Sequence, residues 1–272
     1  MVEMEHARNL LAEMGLTASS QLLDAQIERS NTGHHTYIQF LDELLTAEKQ
    51  TRDRRNLEFR IKRAHLPYVR RIEEFDFDFQ PSVDLRLIKE LSTTAFAHRA
   101  ENVVLLGPPG VGKTHLAIGL AMKTLDAGMS VCFTTLAHMI TDLERATSGG
   151  TITRRWSAYR NPSLLIIDEM GYMQLDRGQA ELLFRIVADR YERGSIIITS
   201  NKYFSDWGEL LSDSVIATAL LDRLLHHAHV INIRGQSYRL KDRLSAGAFS
   251  PALSAPGGKN TGAQEPGDFG HF

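Results

Sequence analysis

The chain has 272 residues, with 31 Lys+Arg against 33 Asp+Glu for a net charge of −2, and 43% of its residues are hydrophobic. That is the composition of an ordinary globular protein, long enough for one large domain or two small ones. A single cysteine, Cys132, excludes a disulfide scaffold, and no run approaches the ~18 apolar residues of a spanning helix. The start, MVEMEHARNLLAEMG, is acidic and polar, unlike a signal peptide. A cytoplasmic protein without a membrane partner is expected.

The near-zero net charge hides a partition. Residues 1–48 carry two basic side chains against eight acidic ones, and residues 49–71 carry nine basic against two acidic. A local positive face of this kind can bind polyanions whatever the overall sign.

In chain order, residues 1–70 read as a small all-helical N-terminal domain for DNA or oligomer contacts. Thr17 is the expected N-cap of ASSQLLDAQIERS, and Gly33 is its breaker. A longer helix runs from about Thr36 to His65, with Phe40, Leu41, Leu44 and Leu45 at helical spacing, and Pro67 ends it. Within it, Lys49, Arg52, Arg55, Arg60, Lys62 and Arg63 fall in one arc of about 160° with Phe59 at its middle, leaving only Arg54 outside. Such a stripe suits duplex phosphates, in shape-tolerant contact without base readout.

Residues 71–100 read as a linker and a connecting helix. FDFDFQPS alternates Phe and Asp before Pro81, the pattern of an extended segment, and Val83 to His98 is helical. From 101 to 246 strand and helix signals alternate. Strands are expected at 103–106, 131–133, 164–167, 196–198 and 230–233, and helices at 113–127, 136–147 and 178–192. Continuous apolar strands between amphipathic helices predict an α/β core with a parallel sheet between helices. Residues 247–272 hold nine Gly or Pro and few large apolar side chains, so a disordered tail is expected.

The chemistry-bearing motif is Gly107-Pro108-Pro109-Gly110-Val111-Gly112-Lys113-Thr114, followed by His115. It matches G-x-x-x-x-G-K-[ST] between a strand and a helix. Glycines let backbone N–H groups curl around phosphates, Lys113 neutralises β/γ oxygens, and Thr114 offers a hydroxyl to Mg²⁺. The strand LLII ends in Asp168 and Glu169, placing one carboxylate near Mg²⁺ and a second as general base for water. A third strand ends in Thr199-Ser200-Asn201, where Asn201 is the expected γ-phosphate contact and Thr199 the alternative. Arg223 in LLDRL is the candidate for an arginine supplied to a neighbouring subunit's ATP, with a salt bridge to Asp222 as the plain alternative. Arg239 in GQSYR is a weaker phosphate-facing candidate. His226, His227 and His229 lack a nearby acidic ligand in sequence. A structural role is expected, with 227 and 229 on one side of the strand and 226 elsewhere.

Taken together, FDFDFQPSVD, AENVVLLGPPGVGKTHLAIGLA, LLIIDEMGY, ADRYERGSIIITSNKYFSDWGE and ALLDRLLHHAHVINIRGQSYR resemble the IstB-like ATP-binding proteins over about residues 10–245. These are transposition helper ATPases of bacterial insertion sequences, in the AAA+ superfamily and related to the helicase loader DnaC. The resemblance implies an ATP- and Mg²⁺-dependent ATPase that forms a homo-oligomer with shared ATP sites, remodels duplex DNA and activates a partner transposase. It carries over Lys113 and Thr114 as Walker A, Asp168 and Glu169 as Walker B, Asn201 as sensor 1 and Arg223 as arginine finger. The separate helical lid of many AAA+ proteins has no room here. A helicase loader is the alternative function. An initiator with a C-terminal helix-turn-helix is set aside, because the Gly/Pro-rich tail offers no such module.

Overall fold

The computed structural model describes residues 2–33 and 36–240; the expected tail at 247–272 lies outside the described residues. Three helices come first: α1 (Val2–Glu13), α2 (Thr17–Thr32) and α3 (Tyr37–Arg63). Thr36 caps α3 in a reciprocal capping box with Gln39, satisfying N–H groups that a helix start leaves open. Gly33 ends α2 as expected, its N–H on Arg29 O. Thr17 does not cap α2. It is the first helical residue, and the buried Glu48 of α3 accepts from Ala18 N at 2.8 Å and Ser19 N at 3.2 Å. The cap comes from a carboxylate about thirty residues away, which no local pattern reveals.

α1 buries no side chain fully, while α3 packs Leu57, Ile61 and the fully buried Ala64 against the following core. Apolar burial stabilises in proportion to the area removed from water, so the C-terminal half of α3 is the anchor and α1 the first element to fray.

The segment after α3 is not a bare linker. A 3-10 turn at Ile72–Glu74 leads into FDFDF, where Phe75 is buried and stacks obliquely on Phe77 with ring centroids 4.9 Å apart. The single expected helix over 83–98 is two, α4 (Leu85–Leu91) and α5 (Ala95–His98), broken where Thr94 takes φ 65°. That left-handed residue cannot continue a right-handed helix.

The remaining chain alternates: β1 (Asn102–Leu106), α6 (Lys113–Asp126), β2 (Val131–Thr135), α7 (Leu136–Ser148), α8 (Ile152–Arg160), β3 (Leu164–Met170), α9 (Arg177–Arg190), β4 (Ser195–Ser200), α10 (Trp207–Leu210), α11 (Ser214–Leu225) and β5 (Ala228–Asn232). The five strands form one parallel sheet in the order β2-β3-β4-β1-β5. Alternation in β1 sends Val103 and Leu105 to the face covered by α6 and the end of α3, and Val104 and Leu106 to the face covered by α7, α9 and α11. A parallel sheet buried on both faces explains the unbroken apolar strands.

α8, α10 and α11 escape the strand-and-helix reading; α8 is short and strongly polar. Tertiary bonds hold it: Trp156 Nε1 donates to Asp189 Oδ2 at 2.7 Å, and the Tyr159 hydroxyl to Asp142 at 2.9 Å. Beneath it the fully buried Arg190 donates to the carbonyls of Tyr159, Arg160, Ser163 and Ser195 at 2.7–3.3 Å. Those four acceptors offset the desolvation that otherwise makes a buried cation costly. Among the described residues no helix is long and apolar enough to cross a membrane.

Candidate functional site

β1 lies between β4 and β5, so the loop after it opens at the carboxyl edge of the sheet, the place where ligands meet open α/β sheets. Gly107 takes φ 151°, and a Cβ there would lie 2.3 Å from Ile233 O; at Gly112 (φ 96°) it would lie 2.6 Å from the Phe75 ring. Glycine is required at both positions for two reasons, the dihedral and the close approach. The loop wraps back so that Lys113 Nζ donates to Gly107 O at 2.7 Å and Pro108 O at 2.8 Å.

Thr114 Oγ1 donates to the Asp168 carboxylate at 3.0 Å, and Thr199 Oγ1 makes a second, short bond to Asp168 Oδ1. Asp168 is buried at the tip of β3, while Glu169 beside it is exposed. The difference comes from a β-bulge. The β3–β4 register runs evenly to Ile167↔Ile198 and then shifts, so that Met170 faces Ser200. Two β3 residues therefore oppose Thr199 alone. Glu169 takes φ 63°, its N–H donates to Thr199 Oγ1 at 3.1 Å, and its side chain turns into the cleft. Re-aiming a side chain next to a reactive centre is a recognised use of bulges.

The cleft, about 270 Å³, is lined by Pro109, Gly110, Gly112, Lys113, Thr114, His115, Glu169, Thr199 and Ser200, joined by Tyr68, Tyr172, Tyr238 and Arg239. Val111 is fully buried beneath it. His115 reaches Arg71 O at 3.0 Å and packs edge-on to Phe75, bracing the segment before the sheet. Tyr238 locks the far side, its N–H on Gly110 O at 2.9 Å and its hydroxyl on Asp76 O at 2.6 Å. FDFDF and GQSYR are thus two straps holding the loop, a pairing that neither stretch announces alone.

Burial pushes the Lys113 ammonium down to about 8, with the Arg239 charge adding to the fall and Asp168 opposing it. Lys113 is thus charged below pH 8 and neutral above it in the free protein, and a bound phosphate raises its pKa again. Binding takes up a proton in that interval, so affinity for a nucleotide falls about tenfold per pH unit above about 8. Titration with a fluorescent ATP analogue between pH 7 and 9.5 checks this, and a flat profile contradicts it.

Not every expected residue joins the cleft. Asn201 is not among its lining residues. Its Oδ1 is buried without a partner beside Gly171, and Thr199 is the β4-tip residue on Asp168. Arg223 is also absent from the cleft lining; it makes no ion pair with Asp222, and instead stacks 4.6 Å over Phe184 and donates to Ala219 O at 3.2 Å. The histidines divide differently from expectation: His229 faces Glu101 at 3.0 Å, while His226 and His227 stay together near Glu192. The turn continues through His227, and strand alternation begins only at Ala228.

The basic arc on α3 is partly engaged. Arg52 lies 3.3 Å from Glu48 and reaches Gly15 O, Arg55 reaches Thr17 Oγ1 at 3.3 Å, and Arg60 donates to Leu125 O at 3.1 Å. Lys49, Lys62 and Arg63 remain exposed. Phe59, Arg60, Lys62, Arg63 and His65 form one wall of a second cleft of about 690 Å³, with Arg154 of α8 on the other wall. Arg155 lines the cleft next to it with Arg63 and Arg154. The arginine pair in TITRR is a signal the sequence reading passed over.

The hard oxygen donors of Thr114 and Asp168, 3.0 Å apart at the loop, fit Mg²⁺. A family model described as IstB-like ATP binding protein matches residues 9–246. The ATP-binding protein named for insertion sequence IS21 in Pseudomonas aeruginosa is 45% identical over 241 residues, 89% of this chain and 91% of its own. The one named for IS5376 in Geobacillus stearothermophilus is 45% identical over 228 residues, 84% of this chain and 91% of its own. Among solved structures, AMPPCP-bound DnaA from Aquifex aeolicus superposes with a TM-score of 0.54 at 18% identity, over 70% of this chain and 58% of its own. DnaI gives 0.50 at 20% identity, over 62% and 89%. At those identities the two structures bear on the fold alone, a parallel sheet between helices with a phosphate loop after β1.

Proposed function

The chain belongs to the IstB-like ATP binding protein family and is a P-loop ATPase, and from that premise we propose a helper of DNA transposition. In its ATP state it assembles on duplex DNA as a homo-oligomer, deforms the duplex and activates the transposase of the same element, in the cytoplasm. Three relations support this: the cleft geometry, the relatives named for insertion sequences, and the basic surface that α3 and α8 share.

In hydrolysis Lys113 leaves the carbonyls of Gly107 and Pro108 for the β- and γ-phosphate oxygens. Thr114 and Asp168 would hold Mg²⁺, which when bound offsets charge on those oxygens. Thr199 fixes both acids, Asp168 through its hydroxyl and Glu169 through the backbone N–H. Glu169 accepts the proton of the attacking water. Asn201 is a second polar group at the β4 end, Arg239 adds a cation on the strap, and Arg223 reaches a neighbouring subunit's γ-phosphate.

The observation that carries the DNA reading is the cleft with Lys62 and Arg63 on one wall and Arg154 on the other. A main-chain bond from Phe133 N to Ala64 O at 2.8 Å ties the α3 wall to β2 at the sheet edge. A rigid row of cations releases counterions on meeting phosphates, with a salt slope of about 0.9 per phosphate neutralised. Replacing Lys62, Arg63 and Arg154 together by Gln is therefore expected to flatten the slope of log affinity against log salt for duplex DNA by roughly 2–3. Fluorescence anisotropy on the ATP-bound protein measures it. An unchanged slope removes this groove from the DNA path.

A further inference from the structure

Glu192, His226 and His227 each present one donor atom, all within 4.8 Å of one another. We propose that these three residues bind a borderline transition-metal dication, of which Zn²⁺ is the type, independently of the nucleotide site.

The donor set is two imidazole nitrogens and one carboxylate oxygen, which suits Zn²⁺, Ni²⁺ or Cu²⁺ and not Mg²⁺. The two rings lie side by side, with centroids 4.1 Å apart and planes at 58°. Their position is set by well-anchored backbone. The chain enters the site from α11, whose end is held where Asn102 Nδ2 donates to Leu224 O at 2.9 Å and Asn102 N to His227 O at 2.8 Å. Glu192 stands on the turn after α9, in the left-handed conformation at φ 57°. The base of that turn is the fully buried Arg190, which ties Ser163 O and Ser195 O to the helix end. Two independently held limbs thus bring their donors together from residues 34 or more positions apart in sequence, as a preorganised site requires.

An outer contact completes the arrangement. The Tyr191 hydroxyl lies 2.8 Å from His226 Nδ1. With Nδ1–H donating to that oxygen, Nε2 carries the free lone pair; such outer bonds fix the tautomer and orientation of a metal-binding histidine. His227 Nε2 already stands 4.0 Å from Glu192 Oε1, a distance a shared cation can bridge without chain movement. All three residues are exposed, so the ion has free entry and keeps an open position for water or a partner's side chain. Arg223 lies one helical turn before His226, so an ion here stiffens the end of the helix that carries it.

The full-length, nucleotide-free chain is titrated with Zn²⁺ by calorimetry and with Co²⁺ by visible absorption. One saturable site is expected, with a Co²⁺ band that His226→Ala and His227→Ala abolish and Glu192→Gln weakens about tenfold or more. His229→Ala, which removes the histidine paired with Glu101, is expected to leave it unchanged. Circular dichroism melts of the apo variants confirm that each remains folded, and Glu192→Gln keeps the side-chain shape. No uptake by the wild type, or uptake undiminished in His227→Ala, overturns the proposal.

Discussion

Arg223→Ala is expected to lower ATP hydrolysis by about 10³–10⁵-fold, the usual worth of an arginine supplied to a phosphoryl transition state, with ATP affinity nearly unchanged. The side chain lies outside its own subunit's cleft, stacked on Phe184 and bonded to Ala219 O. Its removal costs the fold a partly exposed cation–π contact, about 0.5–1 kcal/mol, and one bond to a carbonyl of its own helix, so a loss of activity is not a loss of structure. A mixing experiment separates action in trans from action in cis. Lys113→Ala subunits lack the phosphate cation but keep Arg223, and Arg223→Ala subunits have the reverse. Each is inactive alone, and mixing them rebuilds hybrid sites and restores part of the activity. Wild-type turnover in Arg223→Ala, or a mixture as inactive as its parts, contradicts the role.

Glu169→Gln is expected to slow hydrolysis by about 10²–10⁴-fold, the range for losing a positioned general base, while ATP still binds. The amide keeps the shape of the side chain, and the bulge that aims it rests on main-chain contacts, the Glu169 N–H on Thr199 Oγ1 and the shifted pairing of Met170 with Ser200. Single-turnover hydrolysis beside equilibrium nucleotide binding distinguishes the two effects. Equal losses in both measurements would mean that Glu169 holds the nucleotide and does not act on water.

The α/β core was legible because its signals are local. Each strand is a short apolar run buried on both faces, and the phosphate loop needs its glycines, lysine and threonine in one continuous stretch. What escaped depends on residues far apart in sequence. Glu48 caps α2 across about thirty residues, so Thr17 looked like a cap without being one. The bulge that separates Asp168 from Glu169 arises from pairing with β4, and it also promotes Thr199 over Asn201 as the residue touching Asp168. FDFDFQPS reads as extended, but Phe75 is buried against the phosphate loop and Tyr238, and Phe79 packs half-buried on Tyr238. The basic arc on α3 was visible as a pattern, yet only the packing of α3 on α2 and α6 shows that Arg52, Arg55 and Arg60 already have partners. The fold also brings Arg154 of α8 into one groove with Lys62 and Arg63. Glu192 joins His226 and His227 only through the fold.

We propose that ATP occupancy, and not hydrolysis, commits this protein to duplex DNA. It is tested most directly by the affinity and release rate of Glu169→Gln on fluorescent duplex and single-stranded DNA, with ATP and with ADP, across a salt series. Tight, salt-sensitive, slowly released duplex binding is expected with ATP, and weak binding with ADP. Equal binding in both nucleotide states, or a preference for single strands, would contradict it.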